Sequence, residues 1–177
     1  DIASNEIKSP FAKIPSKDTF AEEVGFVGDF PAGRSLTEGK TWLVHCYGSV
    51  GVARADDPTS GAGDSLYKVI GSARRLDRNY SVVGKVLYGI ENLSSLPRGS
   101  NESGGFYEDA KQYLKITRVE FLKNIPQTER IDMKILRSES ETFTKWIDAR
   151  KDMIGFPYNW GTLDICGVSL PVRFPPK

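Results

Sequence analysis

The sequence predicts a mainly β protein, an antiparallel sheet or barrel of short strands, with short helices and an α/β extension at the C-terminal end. Two observations carry that expectation. Apolar, β-branched and aromatic residues come in short runs bounded by glycine, proline or aspartate, and no internal repeat orders them. Helical spacing is confined to residues 89–96 and to the stretch after Ser140. Short strands separated by long loops favour antiparallel pairing.

Residues 1–40 read as an irregular N-terminal arm. Pro10, Pro15 and Pro31 punctuate it, Gly25, Gly28, Gly33 and Gly39 interrupt any period, and Val24–Val27 suggests one strand or a docking segment. A turn over Leu36–Lys40 leads into residues 41–125, the expected barrel core. There Trp42–Tyr47, Ser49–Ala53, Leu66–Ile70 and Ser81–Val86 read as strands. Gly89–Leu96 has helical spacing and stops before Pro97. Leu114–Phe121 alternates apolar with polar side chains and reads as a half-exposed strand. Residues 126–177 form the extension, expected to pack on the barrel. Ser140 caps a helix whose apolar face is Phe143, Trp146 and Ile147, and Leu163–Val168 looks like a last short strand.

Composition narrows the function. The 177 residues carry 24 Lys+Arg against 23 Asp+Glu, a formal net charge of +1, which gives no electrostatic case for nucleic acid or an anionic membrane. The apolar runs are far shorter than the ~18 residues of a membrane-spanning helix. With 39% hydrophobic and 11% aromatic residues the chain can build a core. It opens Asp1-Ile2-Ala3 with neither Met nor a leader, the expectation for a processed or partial chain.

The sites that chemistry usually needs are missing. His45 is the sole histidine, and no metal-ligand spacing accompanies it. Its neighbour Cys46 points to the opposite face of an extended strand, so the imidazole is badly placed to activate that thiol. Cys46 and Cys166 are two buried thiols or one disulfide, depending on compartment. The loop over residues 56–64 lacks the Gly-Lys-Ser/Thr ending of a phosphate loop, and its aspartates lack calcium spacing. Arg74, Arg75 and Arg78 read as a solvated basic turn. Ser49 does not sit in a nucleophile elbow, and one histidine leaves a triad little to work with.

Read as a string, residues 45–96 say more. Gly48-Ser49-Val50-Gly51-Val52-Ala53-Arg54, the polar loop, Asp64-Ser65-Leu66-Tyr67, and Arg75-Leu76-Asp77-Arg78-Asn79-Tyr80-Ser81-Val82-Val83-Gly84-Lys85-Val86 resemble the core of cyclophilin-type peptidyl-prolyl isomerases. The family text is G-x-L-S-M-A-N, a loop, S-Q-F-F-I, then W-L-D-G-x-H-V-V-F-G-K-V and a helix. His45-Cys46-Tyr47-Gly48, Leu96-Pro97-Arg98-Gly99 and Asp164-Ile165-Cys166 with Leu170-Pro171-Val172-Arg173 resemble a divergent bacterial group of that family more closely. This likeness extends over residues 25–173. It implies a cyclophilin-like barrel, export to the periplasm and a Cys46–Cys166 bridge, with cytoplasmic residence as the alternative.

The resemblance also implies a proline pocket. The peptide would bond to the Ala53-Arg54 backbone, Tyr67 would be the aromatic wall, and Leu76 the pocket leucine. Arg75 stands for the family's Trp, Tyr80 for its His, and Ser65 for its Gln. These changes imply altered peptide preference and weak cyclosporin binding. The family's catalytic arginine lies in an F-H-R-V element that this chain does not show, and Arg34 is too far downstream to replace it. The expectation is that the first strands, the first helix and that arginine precede Asp1, so the catalytic residue is unassigned. An upstream segment or a second chain would then complete an incomplete barrel. Rotation about an X–Pro bond meets a barrier of about 18–20 kcal/mol. A donor aimed at the prolyl nitrogen, with an apolar wall holding the ring, favours the twisted form and needs neither metal nor cofactor. The expected function is isomerisation of X–Pro bonds in unfolded clients. The alternative is an inactive module that binds proline-containing segments or a fixed partner.

Overall fold

Gly28 and Asp29 take φ of +52° and +71°, the pair of positive angles that a two-residue hairpin turn of matching twist requires. That turn folds much of what reads as an irregular arm into sheet. The computed structural model describes residues 1–152 and 155–174. Its strands are β1 (Ile2–Ala3), β2 (Phe11–Lys13), β3 (Glu23–Val27), β4 (Phe30–Ser35), β5 (Lys40–Leu43), β6 (Ser49–Val52), β7 (Leu66–Lys68) and β8 (Val82–Lys85). Helix α1 (Ile90–Ser94) follows, then β9 (Lys134–Ile135), α2 (Glu141–Lys151) and β10 (Val172–Arg173). The first five strands form one antiparallel sheet in the order β1-β5-β4-β3-β2, and β7-β6-β8 and β10-β9 form two more.

The mainly β, antiparallel expectation is met, but among the described residues no closed barrel forms. The irregular arm is corrected: its prolines flank or join strands rather than prevent them. Pro10 precedes β2, and Pro31 lies within β4, where its carbonyl accepts the Val44 N–H at 3.0 Å. No structural boundary falls at residue 40, because one core draws on both ends of the chain. Val24, Phe26, Trp42 and Val44 pack there with Phe143, Ile147, Ile165 and Leu170. The rings of Phe26 and Phe143 meet edge to face at 5.2 Å, and burying a side chain of that size contributes about 1.5–3 kcal/mol. Helix α2 starts where Ser140 Oγ accepts the Phe143 N–H at 3.1 Å, as its sequence suggests. The extension is therefore half of the main core rather than a cover laid over a barrel.

Two further expectations fail for identifiable reasons. Leu163–Val168 contains a 3₁₀ turn (Ile165–Gly167), not a strand, because the Asp164 carboxylate accepts the Cys166 N–H and closes the chain on itself. Residues 114–121 form no strand: Ile116, Val119 and Phe121 are 78%, 84% and 74% exposed. Alternation makes a strand only beside a neighbour, and none pairs with this segment among the described residues. No helix there is long and apolar enough to cross a membrane.

Candidate functional site

Strand β6 organises the site. Its Gly51 faces Tyr67 of β7 across the ladder, and a Cβ on Gly51 would lie 2.3 Å from Tyr67 Cζ and Oη. Only glycine leaves room for the phenol to lie across the strand. Tyr67 Oη lies 2.7 Å from His45 Nε2, and the Tyr80 ring meets Tyr67 edge to face at 6.0 Å. Burial pushes the Tyr67 phenol above the ordinary tyrosine range, and the negative charges of Tyr80 (when ionised) and Asp77 add to it. Gly51→Ala is expected to displace this ring and cost about 1–3 kcal/mol. Thermal unfolding with near-ultraviolet tyrosine dichroism checks it; an unchanged melting point and signal would show that the ring is not pinned.

The turn after β7 completes the wall. A 3₁₀ turn (Arg74–Leu76) ends where Tyr80 N–H bonds to Leu76 O at 3.1 Å, so half-buried Leu76 and Tyr80 are held together. Arg54 lays its guanidinium 4.6 Å from the Tyr80 ring centre. It also donates to the carbonyls of Asn79, Ala55 and Asp56 at 3.1, 2.7 and 2.9 Å. Ala53 N–H bonds to Ser65 O at 2.9 Å. Beyond that bond, the Ala53 carbonyl and the Arg54 N–H have no protein partner among the described residues. A free acceptor and a free donor on successive residues just beyond a strand can pair with an extended peptide.

The structure thus brings Ala53, Arg54, Ser65, Tyr67, Leu76 and Tyr80 into one neighbourhood, Ser65 and Leu76 through their backbones. Arg75 is exposed and its side chain joins none of them. Arg34 is occupied elsewhere, over the Phe11 ring and beside Glu23. Arg54 and Tyr80 also help Val52, Trp42, Leu43 and Val82 line a cavity of about 800 Å³ between the two larger sheets.

Beneath the wall lies a charged chain that the sequence did not reveal. The solvated-turn reading holds for exposed Arg75 but fails for Arg78, which pairs with Asp1 and Glu38 over the Trp42 ring, and for Arg74, which is 8% exposed. Its guanidinium forks onto Asp18 at 2.6 and 2.9 Å and donates through Nε to Asp77 Oδ2. Burial opposes the Arg74 charge, but the bonds to Asp18 and Asp77 outweigh it and raise its pKa. Asp77 Oδ1 in turn takes the His45 backbone N–H at 2.8 Å and lies 3.0 Å from Nδ1. The signal available in sequence was the lone histidine together with Arg74 and Asp77 three residues apart. Cys46 and Cys166 are joined in a disulfide with Cα atoms 4.9 Å apart. In the loop after β6, Asp57 accepts from Thr59 N and Oγ1, both at 2.8 Å, which holds its carboxyl below the usual range. Among the described residues no group of His, Cys, Asp and Glu could hold a metal ion.

No family model matches the chain. A 63-residue segment is 40% identical to a protein of Arabidopsis thaliana, Peptidyl-prolyl cis-trans isomerase CYP23, over 36% of this chain and 27% of that protein. The crystal structure of cyclophilin AquaCyp293 from Hirschia baltica superposes with a TM-score of 0.61 at 21% identity. That match covers 99% of this chain and 63% of the other, so the chain spans less than two thirds of either protein. The antiparallel sheets, the short helices and this near-complete superposition agree that the chain has a cyclophilin-type fold.

Proposed function

We propose that the chain takes X–Pro segments of unfolded protein clients against Tyr67, Leu76 and Tyr80 and serves peptidyl-prolyl cis–trans isomerisation. The observation that carries this reading is the free Ala53 carbonyl and Arg54 N–H beside an aromatic wall. Those two groups would align the peptide as an added strand, and the wall would hold the prolyl ring. Catalysis then asks only for a donor at the prolyl nitrogen as the amide twists. A relative named as a peptidyl-prolyl isomerase supports the assignment. Arg54 is committed to three carbonyl oxygens, and this favours a second reading, a binding module without turnover.

The donor would come from a segment upstream of Asp1 or from a second chain. The cavity between the sheets and the exposed apolar side chains of residues 114–121 support such a completing element. The Cys46–Cys166 bridge supports an exported, periplasmic protein, since reducing compartments keep thiols free.

NMR exchange spectroscopy on an Ala-Pro peptide tests both readings, using this chain and a version carrying the native sequence upstream of Asp1. Exchange catalysed by the extended version alone is the expected result and puts the donor upstream. Exchange with both would locate the donor in this chain. Line broadening without exchange in either would leave the binding module and sink the enzyme.

A further inference from the structure

We propose that His45, held by Asp77, is a positioning residue that fixes Tyr67 as the wall of the prolyl site; this rests on the proline-binding reading above. Hydrogen-bond accounting carries the argument. A carboxylate only accepts, and Asp77 Oδ1 faces both His45 N–H and His45 Nδ1, at 2.8 and 3.0 Å. Nδ1 therefore carries the imidazole proton, and a neutral ring then leaves Nε2 bare. Nε2 meets Tyr67 Oη at 2.7 Å, so the phenol donates and its proton is turned inward.

The imidazole is 0% exposed and can turn to neither water nor peptide. Arg74, itself held by Asp18, fixes Asp77 from behind, so the phenol ends a chain of fixed groups. Gly51 supplies the space for the ring, and His45 sets where its oxygen rests. Tyr67 thereby differs from a phenylalanine in the same place. Its rim is tied to the interior, and its hydroxyl proton is not available to a substrate.

Imidazole ¹⁵N NMR tests this directly, because the chain has one histidine. The expected spectrum shows Nδ1 protonated and Nε2 bare, with Tyr67→Phe moving the Nε2 resonance and leaving Nδ1–H in place. An Nε2-protonated ring would overturn the proposal. Affinity for the Ala-Pro peptide supplies the second readout. Tyr67→Phe keeps the ring and is expected to weaken binding roughly three- to tenfold, the scale of one hydrogen bond. His45→Phe should do the same, and the double variant should be no worse than either. Full affinity in folded Tyr67→Phe would overturn the positioning role even if His45→Phe fails to fold. No binding by the unaltered chain would instead defeat the proline reading, and the positioning role with it, whatever the tautomer.

Discussion

Arg74→Met is expected to destabilise the fold by about 3–5 kcal/mol, the cost of removing one partner from a buried ionic group. Asp18 and Asp77 would both be left facing a thioether, with side chains only 9% and 4% exposed. Breaking the group is costly because each orphaned carboxylate keeps its desolvation penalty and loses the charge that offset it. Arg74→Lys should recover only part of the loss. One ammonium cannot reproduce a planar fork that bonds two oxygens of Asp18 and, through Nε, Asp77. Asp18→Asn should cost less than Arg74→Met, since Arg74 keeps Asp77. Denaturant unfolding of the three variants checks the order Arg74→Met, then Arg74→Lys, then Asp18→Asn. Equal stability of Arg74→Met and the parent chain would show that the network adds nothing to the fold.

The same residue marks how much of the molecule was legible in its sequence. Local patterns spoke clearly where the partner was itself local. Ser140 with Phe143 and Ile147 announced α2, and the runs around Val50, Tyr67 and Val83 announced β6, β7 and β8. Tyr67, Leu76 and Tyr80 were picked out by resemblance; the Tyr67 and Tyr80 rings meet edge to face, and the Leu76 carbonyl accepts the Tyr80 N–H. Arg74 was missed because its burial depends on Asp18, 56 residues away along the chain. A basic run on a turn looks solvated until a distant carboxylate closes over it. The arm was misjudged for a related reason: β2 is three residues long and holds its place only against β3. The opposite error fell on Leu114–Phe121, where alternation promised a strand and no neighbour pairs with it among the described residues. Side-chain period reports which faces can be buried, whereas pairing decides which are.

Replacing both cysteines, Cys46→Ala with Cys166→Ala, is expected to remove about 4–5 kcal/mol and to lower the melting point by roughly 10–20 °C. The bridged residues are 120 apart in sequence, and closing a loop on the order of 100 residues in the unfolded chain corresponds to about 4.7 kcal/mol. This fold needs that closure more than most. Its core sets Ile14, Val24, Phe26 and Val44 against Phe143, Ile147, Ile165 and Leu170, and among the described residues between 70 and 142 only half-buried Ile135 and Leu136 pack against it. Without the bridge, folding must bring two remote segments together at the full loop-closure cost. With it, Ile165 and Val168 remain tethered near the end of β5 even in the unfolded state. The effect acts on the unfolded chain, so the double variant should unfold at lower denaturant while its folded form keeps the Tyr67–His45 contact. Guanidinium melts of the double variant, and of the parent chain with and without reductant, check this. Coincident midpoints would show that the core assembles without the covalent tie. A lowered midpoint together with a lost His45 ¹⁵N signature would mean that the bridge also shapes the stretch after β5 that carries His45, the residue next to Cys46.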